Sequence, residues 1–159
     1  MTTLISEDMK GIIGKELVSK RSYPITQSDI RKWAIAVYFP DQPPAEFLDD
    51  PQVAPEEFNP FAWATPTPAV RFSEMGATAL EDVAGIPAPP VKFQLNGGVG
   101  CTYGVRMRPG DVITSSLSIV NYFEKSGKLG QMLFTDRADV WTNQNGEVVR
   151  TNTSTLIRY

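Results

Sequence analysis

Eleven of this chain's thirteen prolines fall between residues 40 and 90, and that concentration limits the fold more than any other feature. A proline inside a helix removes one backbone hydrogen bond and collides with the preceding turn, at about 3 kcal/mol or more. No long helix can therefore cross Pro55, Pro60, Pro66, Pro68, Pro87, Pro89 and Pro90. The same region carries Phe47, Phe58, Phe61, Trp63, Val70 and Phe72, too much apolar surface for a disordered linker. It reads as an irregular segment packed against something, and long irregular segments in compact domains usually line a site.

Regular structure flanks it. Ser6 opens a short helix over SEDMKGIIGKEL, weakened by Gly11 and Gly14, and KRSYPI reads as a short strand. TQSDIRKWAIAVY carries a capping box, Thr26 with Asp29 three residues on, and sets Ile30, Trp33, Ala34 and Val37 on one helical face. This helix must stop near Tyr38, since Pro40 disfavours helical geometry at Phe39. SEMGATALEDVAG supports two or three further helical turns before Gly85.

After Pro90 the pattern becomes extended. KFQLNGGVGCTYGVRMRPGD is a strand region loosened by glycine, closing in a turn at Pro109-Gly110-Asp111. VITSSLSIVNYFE spaces Ile113, Leu117 and Ile119 by even numbers. LGQMLFTDRADVW sets Met132, Phe134, Ala138 and Val140 on one face, and EVVRTNTSTLIRY follows an NQNG reversal at 143–146. Turns at KSGK and NQNG make these three an antiparallel meander. Helix, irregular apolar segment and meander give an α+β domain in which an antiparallel sheet wraps a short helical element.

At 159 residues and 42% apolar composition, the chain can bury about two thirds of its unfolded surface, which suits one domain spanning 1–159. It stops at Tyr159 within what should be the last strand, which fits either the end of the protein or a cut before another domain. A net charge of −3, with scattered lysines and arginines, argues against a nucleic-acid partner. No apolar run approaches the roughly 20 residues of a membrane span, and the start MTTLISEDMKG lacks the pattern of a secretion signal. The single cysteine, Cys101, excludes an internal disulfide and reads as a small buried thiol. A reducing cytoplasm fits.

The chain contains no histidine. That removes histidine bases, Ser-His-Asp triads, Cys-His dyads and histidine-rich zinc or iron sites. It also lacks a GxxxxGK[ST] phosphate loop, a GxGxxG turn and a CxxC pair. Any chemistry falls to carboxylates, Tyr, Lys or the residues of another chain.

IGKEL near the start, ITQSDIRKWAIAVY in the helix, VAPEEFNPFAW and YGVRMRPGD occur in the order and spacing found in one family. The chain resembles the hot-dog fold of MaoC-like enoyl-CoA hydratases, in the branch related to the dehydratase domain of fungal fatty acid synthase. The resemblance runs nearly end to end and implies a sheet around a reduced or interrupted central helix. Active members carry D-x-N-P-[LI]-H after the first long helix, and their Asp and His activate the water that adds to an enoyl thioester. Here that motif falls on Asp41-Gln42-Pro43-Pro44-Ala45-Glu46, where Pro43 replaces the asparagine and Glu46 the histidine. The site is degenerate.

APEEFNPFAW, LNGG and GVRMRPGD together are similar to one subunit of the bacterial steroid side-chain enoyl-CoA hydratases. That similarity implies a partner, a second MaoC-like subunit that supplies the Asp-His pair in a heterodimer or α2β2 assembly. It implies a coenzyme A thioester as substrate, no further cofactor and no metal. Such subunits often continue into an oligonucleotide-fold domain that recruits a thiolase-like aldolase.

Several residues carry two readings. Asp41 and Glu46 are a working acid–base pair or a vestigial site of solvated loop carboxylates. Tyr23, Tyr38 and Tyr103 are thioester hydrogen-bond donors or packed rings with a wet hydroxyl. Pro55, Phe58, Phe61 and Trp63 are ordinary core or the wall of an acyl pocket. Arg106 and Arg108 reach coenzyme A phosphates or form the solvated face of a strand. Gly97 and Gly98 allow a ligand close to the backbone or form a bulge. Three functions remain: a non-catalytic, pocket-completing subunit of a heteromeric hydratase, a self-sufficient homodimeric hydratase or dehydratase using Asp41 and Glu46, or a non-enzymatic acyl-CoA-binding or scaffold module.

Overall fold

The computed structural model describes residues 2–63, 65–68, 70 and 72–159, the side chains of 73 and 74 excepted. Helix α1 (Glu7–Gly11) is capped by Ser6, whose side chain accepts a hydrogen bond from the Met9 N–H. The helix is shorter than its sequence pattern because the chain turns at Gly14 (φ 78°) into strand β1 (Glu16–Arg21), which begins earlier than KRSYPI suggests.

Helix α2 (Gln27–Tyr38) has its capping box intact. Thr26 Oγ1 accepts from the Asp29 N–H at 3.1 Å, and Asp29 Oδ2 accepts from the Thr26 N–H at 2.9 Å. Ile30 and Ala34 are buried and Trp33 is partly so, but Val37, expected on the same face, is exposed. The last turn runs past the core it packs on, so the apolar stripe outlasts its partner.

The proline-rich region is irregular, with one 3-10 turn among its described residues, Ala45–Phe47, before helix α3 (Phe72–Met75). A second 3-10 turn, Gly76–Thr78, leads into α4 (Ala79–Ala84), which ends on left-handed Gly85 (φ 69°). The irregular segment is held from outside. Ala54 N–H donates to Met107 O at 2.8 Å, and the Arg106 guanidinium donates to Ala54 O at 3.0 and 2.6 Å. In turn the RPGD turn is tied to Ile25 by Gly110 N–H to Ile25 O, 2.7 Å, and Ile25 N–H to Asp111 O, 2.9 Å.

Strands β2 (Gln94–Tyr103), β3 (Thr114–Gly127), β4 (Gly130–Thr142) and β5 (Val148–Arg158) complete one five-stranded antiparallel sheet, ordered β1-β3-β4-β5-β2. The meander β3–β4–β5 is its centre, and β1 and β2 are its edges. Long antiparallel strands with few short helices on one face are the hot-dog arrangement. The register of β2 against β5 shifts between Asn96 and Gly98, so Gly97-Gly98 is a bulge.

On β4, Met132, Phe134, Ala138 and Val140 share one face, as their spacing indicates, and the residues turned to the helices are Leu133, Thr135 and Trp141 on the other, all buried. Both parities carry apolar residues, and only the pairing with β3 and β5 selects between them. Cys101 is exposed instead of buried, because β2 is the outermost strand and every residue on it is exposed.

The core lies in two clusters at opposite ends of the sheet. One packs Ile30 and Ala34 of α2 with Phe47, Ala54, Phe58, Met107, Ile113, Trp141 and Val149. The other packs Met9 and Ile12 with Leu80 of α4, Ile119, Tyr122 and Leu133. Trp141 and Leu133 mark the two ends on β4, about 27 Å apart at the usual rise per residue.

Candidate functional site: an open sheet face between two cores

Strand register aligns three rows of side chains across the helix-bearing face between the clusters. One row runs Lys20, Ser115, Trp141, Arg150, Tyr103, the next Val18, Leu117, Asp139, Asn152, Cys101, and the third Ile119, Arg137, Ser154, Val99. A covering helix would demand apolar residues here. Instead the inner face of β4 reads Trp141, Asp139, Arg137, Thr135, Leu133, apolar only at its ends.

Two adjoining cavities occupy this gap, sharing Phe72, Leu117 and Asp139. The first, about 510 Å³, is walled mainly by Phe61, Trp63, Val70, Phe72 and Val18. The second, about 520 Å³, lies over Arg137, Arg150, Asn152 and Ser154. Together they offer an apolar wall and a polar floor, the usual composition of a small-molecule site.

The floor is ordered by its own hydrogen bonds. Asp139 accepts from Ser115 Oγ at 2.5 Å through Oδ1 and from Trp141 Nε1 at 2.8 Å through Oδ2. Arg150 lies over the rings of Trp141, at 5.0 Å, and Tyr103, at 5.5 Å. Its Nε donates to Asn152 Oδ1 at 2.7 Å and to Cys101 Sγ at 3.1 Å. Arg137 Nε donates to Ser154 Oγ at 3.0 Å, while its two terminal nitrogens have no partner among the described residues. Burial, followed by the positive charge of Arg158, holds the Arg137 guanidinium below its usual range, with Asp139 acting in the opposite direction.

The residues singled out in the sequence are divided by the fold. Phe61 and Trp63 line the first cavity. Phe58 is completely buried in the α2 core, edge-on to Trp33 at 5.7 Å, and Pro55 is buried beside Arg106 and Met107. Arg106 is committed to Ala54 O, and Arg108 is exposed. Asp41 and Glu46 are both exposed on the turn after α2, outside the two cavities. Tyr23, Tyr38 and Tyr103 are exposed as well.

Sequence reasoning missed Arg137, Asp139, Arg150 and Asn152. The available signal was the pair of charges, Arg137 and Asp139, on the parity of β4 opposite to Met132, Phe134, Ala138 and Val140. Among the described residues, no group of three or more His, Cys, Asp and Glu is arranged to hold a metal ion, and no helix is long and apolar enough to cross a membrane. The arrangement can bind an apolar body bearing an acceptor or an anion.

The family model described as "FAS1-like, dehydratase domain region" matches residues 11–152. The chain belongs to this family. No curated protein sequence matches it. The dehydratase-region chain is similar in structure to the ChsH1–ChsH2 complex from Mycobacterium tuberculosis, with TM-score 0.57 and 19% identity over 89% of this chain and 83% of that one. Similarity extends to the R-hydratase PhaJ1 from Pseudomonas aeruginosa, with TM-score 0.49 and 12% identity over 92% and 81% of the two chains. The C-terminally truncated HadBC 3R-hydroxyacyl-ACP dehydratase complex from M. tuberculosis gives TM-score 0.49 and 17% identity over 92% and 96%. At 19% identity the likeness to the ChsH1–ChsH2 structure is one of fold, the hot-dog fold. The family as a whole is one of hydro-lyases, hydratases and dehydratases.

Proposed function

We propose that this chain is the non-catalytic, pocket-completing subunit of a heteromeric enoyl-CoA hydratase acting on a bulky acyl group, of the kind carried by a steroid side chain. One observation carries the reading: the degenerate Asp41 and Glu46 are solvent-exposed and apart from the cavities, while an open sheet face presents an aromatic wall. The chain has space for a large acyl group and no histidine to activate water. In this reading the water is oriented and deprotonated by an Asp-His pair of a MaoC-like partner, and the enolate that forms is held by backbone donors at the shared pocket. Phe61, Trp63 and Phe72 hold the acyl group and exclude bulk water.

A heteromeric assembly is supported by the fully exposed edge strand β2, whose unpaired backbone groups suit a neighbouring strand. It agrees with the ChsH1–ChsH2 structure, which is that of a complex. The substrate is a coenzyme A thioester, and no further cofactor or metal is required.

The test is hydration of short-chain and steroid-type enoyl-CoA, followed by loss of the conjugated-thioester absorbance. The expected result is no turnover by the purified chain and turnover when a histidine-bearing MaoC-like subunit is added. Turnover by the chain alone that disappears in Asp41→Asn or Glu46→Gln would establish a carboxylate-only hydratase instead.

A further inference from the structure

The floor of the cavity carries more positive charge than a neutral acyl group needs. Arg137 sits in a half-buried position with two terminal nitrogens unpartnered among the described residues, and it lines the same cavity as Arg150. Lys20 stands at the wall, its Nζ 4.5 Å from the centre of the Phe61 ring. Two carboxylates near these cations already hold hydrogen-bond partners among the described residues. Glu81 is held by Arg158, and both oxygens of Asp139 accept hydrogen bonds from Ser115 and Trp141. Among the described residues that line this cavity, the two guanidiniums of Arg137 and Arg150 face the single carboxylate of Asp139, so the floor keeps a net positive charge in a chain of net charge −3.

We infer that the cavity takes an apolar molecule that carries a carboxylate, with the carboxylate on the Arg137 guanidinium and the apolar body against Phe61, Trp63 and Phe72. The planar fork of an arginine matches the two oxygens of a carboxylate, and Ser154 fixes the fork by holding Nε. Arg150, stacked on Trp141, adds a second cation to the floor without being free to leave it. Anchored from the sheet, the ligand would lie beneath the aromatic wall formed by the irregular segment. The inference deepens the hydratase reading by naming its substrate class, an acyl thioester with a carboxylate remote from the reacting bond, and rests on that reading's assignment of the cavity to substrate.

The experiment is calorimetric titration of the full chain with two matched pairs, dodecanoate against methyl dodecanoate and a steroid carboxylate against its methyl ester. At least one acid should bind ten-fold or more tightly than its ester. Arg137→Gln should bring the acid down to the affinity of the ester without changing the ester, and Arg137→Lys should keep part of the preference. Equal affinities within both pairs, no binding by any probe, or a preference that survives Arg137→Gln would each overturn the inference. The comparison in the unaltered chain decides the matter even if a variant fails to fold. Hydration restored by a partner subunit, with no preference for acid over ester, would sink this inference and leave the hydratase reading standing. An acid preference with no restored hydration would support the ligand class and sink the hydratase reading.

Discussion

Arg158 and Glu81 form a two-pronged ion pair in the buried interior, Nη1 to Oε2 at 2.6 Å and Nη2 to Oε1 at 2.9 Å, with both side chains 0% exposed. Arg158 ends the last strand and Glu81 lies on α4, so the pair fastens the short helix to the sheet. Thr135 Oγ1 and Ala77 O accept the remaining Nη hydrogens, at 2.8 and 2.9 Å, and Nε has no partner among the described residues. Removing one charge strands the other in the interior. Glu81→Gln or Arg158→Met should each cost about 3–5 kcal/mol in urea unfolding, and Glu81→Leu with Arg158→Met should cost less than the two singles together. Single losses below about 1 kcal/mol would mean that the interior is wetter than its packing implies.

Tyr122 gives the fold an alkaline limit. Its hydroxyl donates to Glu81 Oε1 at 3.0 Å, and burial, then the charge of Glu81, raises its pKa far above the usual value. Because the folded value lies above the unfolded one of about 10, the contribution is complete below about pH 10 and is lost as pH climbs through the folded value. Arg137 is shifted in the opposite sense, but from the ordinary guanidinium range at the far alkaline end of the scale. The unfolding free energy should therefore fall between about pH 10 and 11.5, and less steeply in Tyr122→Phe. That variant should itself lose about 1.5–3 kcal/mol at neutral pH. Parallel slopes in the two proteins would reject the assignment.

Phe58 and Phe61 stand three positions apart and belong to different tasks. Phe58 is wholly buried in the α2 core, so Phe58→Ala should cost about 3–5 kcal/mol. Phe61 meets Trp141 edge-on at 5.0 Å and faces the cavity. Phe61→Ala should destabilise far less while weakening acyl binding about ten-fold, as measured by KM in the reconstituted enzyme. A reversed order of the two stabilities would show that the cavity wall is core.

Gly104 lies where β2 leaves the sheet, and a Cβ there would stand 2.1 Å from Val148 O. Backbone cannot move aside as a flexible side chain can. Gly104→Ala should lower thermal stability by about 2 kcal/mol or more and should free the Val105 N–H, now bonded to Val148 O at 3.0 Å, for faster amide exchange. Unchanged exchange at Val105 would indicate that the strand end relaxes at no cost.

Local rules carried well wherever the determinant was local. Ser6 and Thr26 cap their helices, Gly85 ends α4 in the left-handed region, and the NQNG segment reverses the chain, with Asn143 Oδ1 accepting from the N–H groups of Asn145 and Glu147. Each is decided within a few residues by hydrogen bonding or allowed backbone angles. The inward face of β4 was not legible, because a bulge-free stretch with apolar residues at both parities has no intrinsic side. Exposure of Cys101 depended on β2 being outermost, a matter of sheet order.

What the sequence determined by itself was therefore a set of exclusions and local geometries: no histidine chemistry, no long helix across residues 40–90, a capped α2, a meander of strands and an apolar irregular segment. Tertiary structure decided the rest. It sent Phe58 to the core and Phe61 and Trp63 to a cavity, left Asp41 and Glu46 in solvent, and brought Arg137, Asp139, Arg150 and Asn152 onto one open face. Those four are spread over two strands and are unremarkable in order along the chain. Only the register of β4 against β5 sets them side by side, since pairing fixes which of two equivalent faces turns inward.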